Sequence, residues 1–97
     1  MSQSIGLLEV NSLLAAVESI DAMVKSTSVV VEGYKTMSDT VLIVISGEYK
    51  KVCASLEIGL RRAQSFQVCV IKHVIALPHA ETKKVLDAIL ASNTFSE

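Results

Sequence analysis

The fold turns on residues 32–47, EGYKTMSDTVLIVISG. Within it a short polar segment, Thr36, Met37, Ser38, Asp39 and Thr40, leads into the wholly apolar run Val41, Leu42, Ile43, Val44 and Ile45, which Gly47 stops shortly afterwards. A strand with one face in water alternates apolar and polar residues, because successive side chains point to opposite faces. This run does not alternate, so both of its faces need cover. The polar segment before it reads as a turn, with an Asp at the mouth of the strand.

Working outward, residues 29–34 form a β-branched run that reads as the preceding strand. Residues 4–10, SIGLLEV, read as a short first strand. Between them, Leu13, Val17, Ile20 and Val24 recur at helical spacing, with Leu14 and Met23 beside them, and Asn11 or Ser12 stands where a helix N-cap belongs. Residues 48–66 read as a second helix with Val52, Leu56, Gly59, Leu60 and Ala63 on one face. Gly59 costs a helix about 1 kcal/mol against Ala, which predicts close packing against another backbone. Residues 68–77 read as a last strand closed by Pro78, and residues 81–92 as a short helix. The order β-α-β-β-α-β with an added helix predicts an α/β (α+β) fold of ferredoxin-like type, an antiparallel sheet with two helices on one face. Residues 1–92 are expected to form one domain, with residues 93–97 a disordered tail.

The composition narrows the function. The chain has 97 residues, 51% of them hydrophobic, with only two Tyr and two Phe as aromatics. That is more aliphatic material than a small monomer hides, so an oligomer is expected. The net charge of −1 and the lack of a basic run argue against nucleic acid. No apolar run approaches the length that spans a bilayer and no leader pattern opens the chain, so a soluble cytoplasmic protein is expected, with no membrane partner.

Catalytic signatures are absent: no nucleophile elbow, phosphate loop or zinc helix occurs. Cys53 and Cys69 are too far apart for a metal or redox pair and read as small core residues. His73, inside an apolar strand, reads as a partly buried structural residue, and His79 as a surface or packing residue in a turn. Glu9 follows an apolar run and is expected to be buried and paired. No cofactor and no metal are expected, and no catalytic residue is assigned.

Several short pieces in series resemble the bacterial microcompartment (BMC) shell-protein domain of the single-domain, hexamer-forming type. They are Gly6 and Glu9 in the first strand, then Asp21, Met23 and Lys25 in the first helix, then the Gly33-Tyr34 pair. Gly47 and Gly59 follow, and His73, Ile75, Pro78 and His79 close the series. The resemblance implies a structural shell protein, not an enzyme. It implies a flat homohexamer that tiles with other microcompartment shell proteins into a facet around encapsulated enzymes, with a central pore for small metabolites. By position, Lys25 falls at the hexamer edge, with Ser28, Leu77 and His79 beside it. The family often has Asn at the Ser28 position and Arg at the Leu77 position, so one tiling feature is kept and two are changed.

The pore loop of the family is often Gly-Ser-Gly. Counted without gaps from Tyr34 and Gly47, that triplet falls on Met37, Ser38 and Asp39, with Thr40 adjoining. Six Asp39 carboxylates around one axis would oppose anionic metabolites, and their mutual repulsion disfavours full ionisation. Alternatively, Asp39 caps its own turn through a backbone amide, or the carboxylates hold a metal ion on the axis. A rival reading is a ferredoxin-like regulatory or small-molecule-binding module that forms dimers or trimers. A small transferase on the same fold is a third, and it lacks the Arg or His beside a phosphate loop that such chemistry needs.

Overall fold

The structure, a computed structural model, describes residues 3–68, 70–76 and 78–91. Strand β1 (Ser4–Val10) leads to helix α1 (Leu13–Ser26), then β2 (Val30–Thr36), β3 (Val41–Gly47), helix α2 (Tyr49–Gln64), β4 (Val70–Ile75) and helix α3 (Ala80–Ala91). The sheet order is β2-β3-β1-β4 with every neighbouring pair antiparallel. That is the α+β arrangement expected from the element order, with β2 and β4 as edges. Residues 69, 77 and 92–97 lie outside the described residues, and with them the readings of Cys69, Leu77 and the tail.

Leu8 and Val10 of β1 and Val41, Ile43 and Ile45 of β3 face α1 and α2 and form the core with Met23, Val52, Leu56 and Ala63. Gly6 and Gly59 let the layers approach. A Cβ on Gly6 would lie 2.8 Å from Val52 Cγ1 and 2.9 Å from Ile45 Cγ1. At Gly59 the close neighbour is the Met23 side chain, 2.7 Å from a Cβ there, rather than a second backbone. The Ser19 hydroxyl reaches both the Ala15 carbonyl (2.8 Å) and the Gly59 carbonyl (3.1 Å), joining the two helices at the same place.

Helix α1 starts where its cap predicts: the Ser12 hydroxyl accepts from the Ala15 amide at 3.1 Å. Its buried face differs from the expected apolar stripe. Ala15, Ala16, Ser19 and Met23 are buried, whereas Leu13, Leu14, Val17 and Val24 are exposed. Small residues let α1 sit close on the sheet and on α2; of the expected stripe Met23 is buried and Ile20 packs against the core, while Leu13, Leu14, Val17 and Val24 are turned outward.

The other sheet face carries Ile5, Leu7 and Glu9 of β1, Leu42 and Val44 of β3, and Ile71, His73 and Ile75 of β4, as the strand register requires. Helix α3 covers one end of it: Leu86 and Leu90 border a small gap with Ile5, Val44 and Glu32, and Leu90 lies over Gly33. This accounts for the buried Val44 in the non-alternating β3, while the Ser46 hydroxyl donates to the Glu32 carboxylate. The cover is incomplete. Ile71 is 65% exposed, and His73 is exposed rather than partly buried, because β4 is an edge strand beyond the reach of α3. Cys53 is only half-buried, on the flank of α2.

Candidate functional site

Met37, Ser38, Asp39 and Thr40 are the tip of the β2–β3 hairpin. The Met37 amide donates to the Thr40 carbonyl (2.7 Å) and the Thr40 amide to the Met37 carbonyl (3.3 Å), leaving Ser38 and Asp39 as a two-residue turn. None of the four has a positive φ. The turn therefore has no need of the glycines that a left-handed conformation would favour, and Met37 is accommodated without strain. Met37, Ser38 and Asp39 are all exposed.

Pairing of β1 with β3 brings the end of β1 beside this tip. The Thr40 hydroxyl donates to the Glu9 carboxylate at 3.0 Å, and Glu9 is half-buried. The expectation that Glu9 is paired is met, by a neutral hydroxyl. Asn11, Ser12 and Leu13, at the start of α1, line one open concavity of about 240 Å³ with the hairpin residues. Sequence spacing showed Asn11 and Ser12 only as helix caps. The antiparallel register, which places residues 9–11 against residues 40–42, was the signal for their nearness to the loop.

The residues assigned to an edge lie toward the opposite end of the sheet. Helix α1 runs away from the hairpin end and spans roughly 20 Å, and Lys25 is in its last turn, where a cation suits the helix dipole. The Lys25 ammonium pairs with the Asp21 carboxylate at 2.9 Å. That hydrogen bond, and then the carboxylate's charge, raises the Lys25 pKa above the ordinary lysine value. Ser28 is exposed and borders a broad concavity of about 700 Å³ with Ser4, Gly47, Tyr49 and Ala76. On its rim, a hydrogen bond with Cys53 and then the negative charge of the Cys53 thiolate raise the Tyr49 hydroxyl pKa.

His79, a short step beyond Ala76, is exposed, and its Nδ1 accepts from the Glu81 amide at 3.1 Å. Its carbonyl accepts from Lys83 at 3.1 Å, so His79 caps α3, and an accepting Nδ1 places the ring proton on Nε2. Lys25, Ser28 and His79 thus belong to the far end, and Met37, Ser38, Asp39 and Thr40 to the near end. Among the described residues no group of acidic, His or Cys side chains could hold a metal ion, and no helix is long and apolar enough to cross a membrane.

The antiparallel four-stranded sheet with its three helices is the fold of a known class. The sequence model of the BMC domain matches residues 4–78. The chain belongs to that family of microcompartment shell proteins.

It is 34% identical over 85 residues to the bacterial microcompartment shell protein PduA of Citrobacter freundii, covering 87% of this chain and 91% of that one. It is 33% identical over 89 residues to the carboxysome shell protein CcmK2 of Synechocystis, covering 89% and 86%. The fold matches a solved microcompartment protein from Desulfitobacterium hafniense with a TM-score of 0.76 and 28% identity. All of this chain is covered, and it spans about half of that longer chain (52%).

Proposed function

We propose that this protein is a structural, non-catalytic subunit of a microcompartment shell in the bacterial cytoplasm. It forms a homohexamer that lies in the shell facet with other shell proteins around encapsulated enzymes, and small metabolites pass through its central pore. Six β2–β3 hairpins, with Met37, Ser38, Asp39 and Thr40 at their tips, line that pore. Lys25, with Ser28, Leu77 and His79, belongs to the outer edge.

The observation that carries this reading is the pair of exposed apolar flanks on a chain of this family. Leu13, Leu14 and Val17 are 60%, 62% and 52% exposed on α1, which among the described residues touches β1, β2 and β3 and not β4, and Ile71 is 65% exposed on β4, the edge of the sheet opposite β2. Two different patches on opposite flanks suit a head-to-tail interface, which closes into a ring when its rotation allows. An isologous dimer would use one patch twice. Native mass spectrometry distinguishes the readings: six copies is the expected result, and a dimer or trimer would favour a ferredoxin-like binding module.

The exposed Asp39 carboxylate gives the pore a negative rim, which attracts cations and opposes small anions. Asp39→Ser in reconstituted shells is expected to raise the flux of acetate relative to that of glycerol. Equal flux ratios in the two proteins would remove Asp39 as a selectivity element.

A further inference from the structure

We propose that Glu9 is a positioning residue for the pore loop: its carboxylate holds Thr40, and through Thr40 it sets where Asp39 stands. The proposal deepens the pore reading and rests on it. Glu9 projects from β1 on the face without α1 and α2, in a row between Leu42 and Ile71. A half-buried carboxylate between two aliphatic neighbours is costly unless it is hydrogen-bonded, and the Thr40 hydroxyl supplies that bond at 3.0 Å. Thr40 is also the residue whose backbone closes the two-residue turn with Met37.

One carboxylate therefore connects the centre of the sheet, where β1 lies between β3 and β4, to the exposed tip. An exposed two-residue turn is otherwise free to sway, and a charged ring keeps its selectivity only while its carboxylates stay at a fixed distance from the axis. The bond is made to an ionised group, the stronger class of hydrogen bond.

The test uses the full chain in reconstituted shells, with Glu9→Ala, Glu9→Gln, Thr40→Val, Asp39→Ser and the double variant Glu9→Ala/Asp39→Ser. Hydrogen exchange of the peptide spanning residues 36–41 reads the loop, and the ratio of acetate to glycerol flux reads the charge. Loss of a hydrogen bond to a charged group predicts exchange at least about tenfold faster in Glu9→Ala and in Thr40→Val. Both are also expected to lose the exclusion of acetate. Glu9→Gln, which keeps an acceptor without the charge, is expected to retain slow exchange and most of the exclusion.

The double variant is expected to pass acetate no faster than Asp39→Ser alone, because a positioning residue acts only through what it positions. Additive effects would instead make Glu9 a charge acting by itself, and unchanged exchange in both tether variants would show that no tether exists. Either result overturns the proposal. If Asp39→Ser leaves the flux ratio unchanged, the pore reading of Asp39 fails, while the exchange of the tether variants still decides whether Glu9 holds the loop.

Discussion

A methyl group on Gly6 would meet Val52 Cγ1, Ile45 Cγ1 and Leu56 Cδ1 at 2.8, 2.9 and 3.0 Å, all of them branched side chains locked in the core. Overpacking of this kind costs about 1–3 kcal/mol, so Gly6→Ala is expected to lower thermal stability clearly. Gly59→Ala meets Met23 Sδ at 2.7 Å and Leu8 Cδ2 at 3.1 Å. Methionine is adaptable, and Ala is the better helix former by about 1 kcal/mol. The two terms partly offset, and Gly59→Ala is expected to destabilise less than Gly6→Ala. Denaturant melts of the two variants check the order, and the reverse order would place the tight contact between α1 and α2.

The Asp21–Lys25 pair makes a second prediction at this scale. A lysine whose folded pKa is raised adds stability that is fully present below the unfolded value and lost as pH rises through the folded one. The window is therefore alkaline, above about pH 10.4. The pair is exposed, so its effect on stability is small. The effect on titration is the useful one: Asp21→Asn is expected to bring the Lys25 midpoint down, as an NMR titration of the side chain would show.

Among the elements, α1 and α2 each bury one serine, with opposite consequences. The Ser19 hydroxyl is satisfied by carbonyls of both helices. Ser55, fully buried on α2, has a hydroxyl without a hydrogen-bond partner among the described residues. Ser19→Ala is expected to destabilise by about 1 kcal/mol, and Ser55→Ala to be neutral or stabilising by up to a similar amount. Paired thermal melts check the signs, and a clear loss in Ser55→Ala would mean that its hydroxyl is bonded after all.

The elements themselves were legible in the sequence because β-branched runs, the Ser12 cap and the helical spacing of α2 agree with one another. The inward face of α1 was not legible. Periodicity locates an apolar stripe and leaves its direction open, and here Ala15, Ala16 and Ser19 are buried while Leu13, Leu14 and Val17 look outward. His73 was misjudged for a related reason: an apolar strand at a sheet edge keeps one side in water. The loop residues were legible as a turn, but the bond from Thr40 to Glu9 joins positions 31 apart, and only the strand register brings them together.

At the scale of the whole molecule, the outward stripe on α1 becomes the strongest handle on assembly. Leu14 and Val17 are more than half exposed in the single chain and lie outside its buried core, so changing them is expected to disturb the monomer's packing little. A carboxylate placed on an apolar subunit interface must be desolvated without a partner, which opposes association strongly. If α1 carries the interface of the proposed ring, the double substitution Leu14→Glu/Val17→Glu is therefore expected to yield a folded monomer or small fragments of that ring, with the far-ultraviolet spectrum of the parent. Its melting temperature is expected to fall below that of the parent, because binding between subunits stabilises the folded state by mass action. For the same reason the parent's melting temperature should rise with protein concentration, and the variant's should not. Native mass spectrometry and melts at two concentrations read both effects. A variant that still forms six copies would move the interface off α1, and the apolar stripe would then have to meet a different shell protein.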